Sequence, residues 1–290
     1  MRAAGNCERV RWAWKPSSSD IDQRLDRLSQ FLVSGNAVRP LMTEPHRPIA
    51  QGPGRPPPGA VAVLVACIAA SLALPHVPGG RLVWRPLMLL STLAHELGHG
   101  LAAVLVGGDF VSLQVFADGS GVAVTAHPGG RAASALIAAG GLVGPALVAC
   151  GLFFFARTAG RARAALGSLA AVLLLVVALV VRNPFGVVYV LVLSALLAAL
   201  VRFGSARIAR FGLVFLAIQL SVSVFSRSDY LFTREARTGA GNMPSDAAQI
   251  AEALLLPYWM WGGLCGLVSL VVLALGMWLY LRPTQVYMRQ

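Results

Sequence analysis

The chain has 290 residues, of which 57% are hydrophobic and only 12% charged, and its mean hydropathy is +0.69. Soluble globular proteins carry about 25% charged residues, so this composition excludes a water-soluble body and makes lipid much of the solvent. The net charge of +12 is almost wholly arginine, Lys15 being the sole lysine. Beyond residue 80 these arginines punctuate apolar runs and do not form the solvated, aromatic-interleaved face that nucleic-acid binding needs, which excludes nucleic acid as a partner.

Residues 1–58 read as a polar, Pro- and Arg-rich tail, mostly disordered, closing in Gln51-Gly-Pro-Gly-Arg-Pro-Pro-Pro-Gly59, a stiff extended tract. Its one structured candidate is a short amphipathic helix. Ser19 is placed as N-cap, and Ile21, Leu25, Leu28 and Leu32 recur at helical spacing.

Seven apolar runs follow within a transmembrane domain over 59–282, ahead of a short tail at 283–290. They lie at 59–77, 87–106, 132–156, 164–181, 185–201, 211–226 and 258–281. A bilayer core of about 30 Å takes about 20 helical residues, and backbone satisfaction in lipid allows helices or closed barrels. The runs lack two-residue alternation. The fold class is therefore an all-α polytopic membrane protein of about six to seven transmembrane helices. The run at 211–226 is short. Arg182-Asn-Pro184 separates two runs closely enough to predict a tight helical hairpin, with one long kinked helix as the alternative. Under the positive-inside rule the basic connections 157–163 and 202–210 are cytoplasmic. Seven crossings would then leave the equally Arg-rich tail outside, so charge leaves the orientation open. Cys67, Cys150 and Cys265 sit within apolar runs with no paired spacing and read as small buried hydrophobes.

Two connections carry their own structure. Residues 107–131 are too polar to cross. Val111, Leu113 and Val115 alternate with other residues before Asp118-Gly-Ser-Gly121, and Val122 and Val124 alternate after it, which predicts a β-hairpin. The polar loop 227–257 predicts a short helix starting near Ser245-Asp246.

The chemistry lies in the second run. His95, Glu96 and His99 interrupt an otherwise apolar helix, where a charged group costs roughly 2.5–3.5 kcal/mol on insertion scales. Residues four apart share a helix face, so His95 and His99 can offer imidazole nitrogens to one metal ion. Glu96, about 100° further round, flanks that ion and serves as general base. Ser91 and Thr92 extend the polar arc, and Leu90, Leu93, Leu97, Leu101 and Val104 lie opposite. Gly98 and Gly100 admit another backbone. This is the H-E-x-x-H pattern of zinc hydrolases.

A catalytic zinc ion needs a third protein ligand. Six carboxylates lie beyond the motif. Asp109 is about 15 Å along the helix direction from His99, and Asp118 suits a turn. Asp229, after the sixth run, is the first choice and Asp246 the second, although an aspartate in a helix's first turn needs no metal to explain it. Asn183 is a candidate substrate-orienting amide, or simply a helix-end residue before proline.

The stretch Thr92-Leu-Ala-His-Glu-Leu-Gly-His-Gly-Leu-Ala-Ala103, followed by Gly107-Gly108 and the Asp-Gly-Ser-Gly-Val hairpin, resembles the site-2 protease family of intramembrane zinc metalloproteases. The likeness is greatest to its compact bacterial members without a PDZ domain. It covers roughly 87–260 and is strongest over 90–125. It implies one Zn²⁺ held within the membrane by His95, His99 and an aspartate from a later helix, with Glu96 as catalytic base. It also implies membrane-spanning protein or peptide substrates, a multi-pass location in the bacterial plasma membrane, and a hairpin that guides substrate by strand addition, with Gly119 and Gly121 at its substrate-binding turn. The sequence departs from the family in lacking the Asn-Pro-x-Pro tract followed by Leu-Asp-Gly; only Asn183-Pro184 remains of it. The third ligand thus stays open between Asp229 and Asp246. The rival to a protease is a polytopic protein of the same fold that binds without cleaving.

Overall fold

The computed structural model describes residues 59–127, 129–226 and 229–282, with the side chains of 226–230 outside that description. The tail at 1–58, with its amphipathic-helix candidate, and residues 283–290 also lie outside the described residues.

Helix α1 (Ala60–Ala73) runs into a 3-10 turn at Leu74–His76. Its 14 residues rise about 21 Å, less than the bilayer core. Among the described residues six helices are long and apolar enough to cross: α2 (Gly80–Leu105), α3 (Arg131–Phe155), α4 (Ala159–Leu179), α5 (Pro184–Phe203), α6 (Ala206–Ser226) and α9 (Tyr258–Leu281). The predicted 211–226 run is longer than its apolar residues suggested, because Arg207 and Arg210 belong to the same helix. Arginine stems lie along apolar surface while their heads reach polar groups, and Arg210 Nε donates to the Ala156 carbonyl at 2.9 Å. The 182–184 break is a helical hairpin, as the first of the two readings had it.

Helix α3 is the hub, packed against α2, α6 and α9 and against the short helix α8 (Asp246–Leu254). Apolar burial gives no drive for helices to associate in lipid, so close packing of small residues takes over. Gly98 shows how close that packing is. A Cβ there would stand 2.2 Å from the Gly140 carbonyl oxygen, and one on Gly144 would stand 3.0 Å from the Ala94 carbonyl. Gly100 serves differently from expectation: its open face takes the Phe110 ring, not a backbone.

The predicted hairpin forms as β1 (Asp109–Val115) and β2 (Gly121–Ala126), antiparallel with an irregularity between Phe110 and Ser112. It folds back alongside α2, so that Phe110 meets Gly100 and Gly121 meets Glu96. The outer edge of β1 is occupied by the α4–α5 junction. Leu113 N–H donates to the Val180 carbonyl at 2.8 Å, and Arg182 N–H donates to the Leu113 carbonyl at 3.1 Å. A four-residue helix α7 (Asp229–Phe232) precedes a second hairpin, β3 (Glu235–Thr238) and β4 (Gly241–Pro244), and then α8.

Gly98→Val forces the α2–α3 contact open. It is expected to destabilise by about 1–3 kcal/mol, read as a lower Tm in detergent. Gly151→Ala, with open space around its Cβ position, is expected to leave Tm unchanged.

Candidate metal centre

Helix α2 presents Ser91, Thr92, His95, Glu96 and His99 along one arc, and the surrounding elements meet each of them. Ser91 donates to Ser223 Oγ of α6 at 2.6 Å, and Thr92 to the Gly119 carbonyl of the hairpin turn at 2.6 Å. His99 Nδ1 lies 2.9 Å from the Ile137 carbonyl of α3. A carbonyl only accepts, so this contact assigns the proton to Nδ1 and leaves the Nε2 lone pair for a metal. Gly141 leaves room for that ring, since a Cβ there would fall 2.2 Å from His99 Nε2. The Nε2 atoms of His95 and His99 stand 3.2 Å apart.

The carboxylate that meets them is Asp246, on the first residue of α8. Ser245 caps this helix, accepting from Ala248 N–H at 3.1 Å and donating to the Thr233 carbonyl at 2.6 Å. The far end of α8 is held by Arg131 of α3, whose Nε donates to the Ala253 carbonyl at 2.6 Å. Anchored at both ends, α8 brings Asp246 Oδ2 to 3.0 Å from His95 Nε2 and Oδ1 to 3.3 Å from His99 Nε2. Burial pushes the Asp246 carboxyl up, and positive charge between it and the two imidazoles, whether protons on His99 and His95 or a metal ion in their place, pulls it down.

The donor set fits a metal ion. Three lone-pair atoms converge in an apolar bundle, where they repel unless a cation lies among them. Their 3.0–3.3 Å separations are close to the about 3.3 Å that tetrahedral bonds of about 2.0–2.1 Å produce. Among the described residues this is the group of His, Cys, Asp or Glu able to hold such an ion. The side chain of Asp229, the first choice from sequence, lies outside the described residues.

Glu96 is 6% exposed and stands beside the donors, facing the Ala123 N–H of β2. Gly121 lies against it; a Cβ there would fall 2.7 Å from Glu96 Cγ and from Thr92 Cγ2. Gly119 takes a positive φ of 96° at the turn. Asp118 takes the expected turn role, its Oδ1 accepting from Ser120 N–H at 2.9 Å. Asn183 pairs with β1: its Nδ2 donates to the Val115 carbonyl at 2.6 Å and its Oδ1 accepts from Val115 N–H at 3.2 Å.

Two openings flank Glu96. A polar cleft of about 160 Å³ runs between β2 and the β3–β4 hairpin, with His95, His99 and Asp246 in its wall. A smaller apolar pocket of about 50 Å³ opens on the other side, between α2, α3 and α6, and shares His95, Glu96 and Gly121 with the cleft. The tips of the two hairpins are joined, since Gly239 N–H donates to Ser120 Oγ at 2.8 Å.

Sequence reasoning missed the second hairpin and the residues that anchor α8. The hairpin's signal was the pair of glycines around its two-residue link, Gly239, which lies against Phe116, and Gly241, which takes a positive φ of 119°. The Arg131–Ala253 contact spans 122 positions, and no local signal announces it.

Two histidines and a carboxylate converging beside a glutamate, within a bundle of span-length helices, mark the class of membrane-embedded metallopeptidases. The chain belongs to the Peptidase M50B-like family, whose sequence profile matches residues 62–276, in agreement with the site-2 protease resemblance of the motif. No curated protein and no solved structure matches it significantly.

Arg131→Ala frees the far end of α8 and is expected to weaken metal affinity on the scale of outer-shell substitutions, about 10–100-fold. Titration of the purified protein with Co²⁺, read by its absorption, checks this; Arg131→Lys is expected to recover part of the loss.

Proposed function

We propose that the protein is an intramembrane zinc metalloprotease of the bacterial plasma membrane, hydrolysing a peptide bond in or near a transmembrane segment of a membrane protein. The observation that carries this reading is the convergence of His95, His99 and Asp246 at mutual distances of 3.0–3.3 Å with Glu96 beside them. His95, His99 and Asp246 are the proposed ligands. The metal, when bound, supplies Lewis acidity at the scissile carbonyl and makes water a competent nucleophile at neutral pH. Glu96 takes the proton of the attacking water and passes it to the leaving amine. Its burial keeps bulk water from competing for that proton.

Strand alternation supports a place for the substrate. Leu113 directs its N–H and carbonyl to the outer edge of β1, so its partner Ala123 directs its own to the outer edge of β2. Val115, bonded outward to Asn183, gives the same result for its partner Gly121. The outward N–H and carbonyl of Gly121 and the carbonyl of Ala123 thus face the polar cleft, while the Ala123 N–H is directed at Glu96. An extended substrate adds there as a third strand, and Asn183 acts on it indirectly by holding β1.

Glu96→Ala is expected to lower cleavage of a transmembrane peptide in detergent by at least about 100-fold while keeping its zinc. Equal cleavage by the variant would favour the non-cleaving alternative for this site. Zinc content measured side by side is expected to fall in Asp246→Ala and to hold in Asp229→Ala; the reverse pattern moves the third ligand to Asp229.

A further inference from the structure

The apolar pocket beside Glu96 is separate from the cleft that takes the peptide backbone. Leu142 and Pro145 of α3, Val224 of α6 and Leu231 of α7 wall it, and Ser91 and Ser223 add polar groups at the side away from His95 and the Glu96 carboxylate, which also line it. Its volume of about 50 Å³ can be set against two limits. A single water needs about 10–15 Å³ on this measure, and a cavity of about 150 Å³ takes a benzene ring. On that scale the enclosed part of the pocket has room for about two heavy atoms, fewer than an isobutyl or a phenyl group carries.

The direction of its hydrogen bonds adds a second selection. Ser91 gives its proton to Ser223 Oγ at 2.6 Å, and Ser223 gives its own to the Leu220 carbonyl at 2.7 Å. Both protons run away from Ser91, so the Ser91 oxygen is left as an acceptor. A side chain carrying a small donor satisfies it. A purely apolar one displaces water from it and offers no hydrogen bond in return, which is unfavourable.

The pocket also lies in the right place for a side chain next to the reacting bond. It shares Gly121 with the strand edge and Glu96 with the proposed proton path. Successive side chains of an added strand point to opposite faces. A strand along Gly121–Ala123 therefore sends one side chain into this pocket and its neighbour away from it.

We infer that this pocket is a specificity site that binds the side chain of a substrate residue adjoining the scissile bond and selects a small hydrogen-bond donor, serine, threonine or cysteine, then alanine, while excluding leucine and aromatic residues. The inference rests on the proteolytic reading. Its test therefore uses binding rather than turnover. The probes are peptide hydroxamates that differ only in the side chain beside the chelating group: hydroxymethyl, methyl, isobutyl or benzyl. Binding to the zinc-loaded full chain is measured by titration in detergent.

Wild type is expected to bind the hydroxymethyl compound most tightly and the benzyl compound at least tenfold more weakly. Leu142→Ala and Val224→Ala each enlarge the pocket and are expected to narrow that gap. Two sites are tested so that a folding defect in one variant leaves the other to decide. Ser91→Ala is expected to abolish the preference for hydroxymethyl over methyl. Benzyl binding as tight as hydroxymethyl in wild type, or an unchanged gap in both enlarged variants, overturns the inference. Discrimination among the hydroxamates without cleavage of any peptide would overturn the proteolytic reading alone. A series that does not bind at all overturns both.

Discussion

Charged and lone-pair groups inside an apolar bundle have to be met by partners from elsewhere in the chain. Here that requirement governs how distant segments are arranged. His95, Glu96 and His99 stand on one helix, and the carboxylate that meets the two imidazoles arrives on α8, about 150 positions later in the chain. Bringing it there calls for fixing both ends of a short helix, which Ser245 and Arg131 do. It also calls for a floor that tolerates the His99 ring, which Gly141 provides. The glycine contacts between α2 and α3 are thus part of the centre's geometry as well as of its packing.

Much of this was legible in the sequence because it depends on near neighbours. The spacing of His95 and His99, the alternation around Asp118-Gly-Ser-Gly121 and the order of the apolar runs are local patterns and reappear in the structure, although the first run gives a helix too short to cross and the sixth a longer one than its apolar residues suggested. The placing of Asp246 was harder to read. An N-capping serine followed by aspartate explains itself as a helix start, and locally that reading is right: Ser245 caps α8 and Asp246 opens its first turn. What the local reading lacks is where α8 lands, and that depends on contacts across more than a hundred residues. Asn183 shows the same division. It does stand before a proline at a helix start, yet its amide pairs with a strand 68 positions away. The β3–β4 hairpin escaped because its four-residue strands carry no apolar alternation, their packing being set by the neighbouring turn at Ser120.

The arginines gain a meaning that composition alone withheld. Several end a helix by donating to a carbonyl that has no partner within its own helix. Arg163 reaches Gly204, Arg182 reaches Leu179 and Arg131 reaches Ala253. Arg157 reaches the carbonyl of Arg282. In a bilayer such carbonyls are expensive to leave bare, and a long side chain with several donors covers them from an adjacent helix end. Part of the positive charge of this chain is therefore architecture, distributed where helices stop.

The occupied outer edge of β1 has one more consequence. A two-stranded sheet has two edges, and each is a template on which further strands can assemble. With Val180, Arg182 and Asn183 fastened along one of them, the sheet extends in a single direction only. Two copies cannot propagate a ribbon through it, because growth in one direction meets a side already filled by the chain itself. In a crowded membrane, where unfolded segments of many proteins pass close by, the sheet can accept a strand on its β2 side and none on its β1 side.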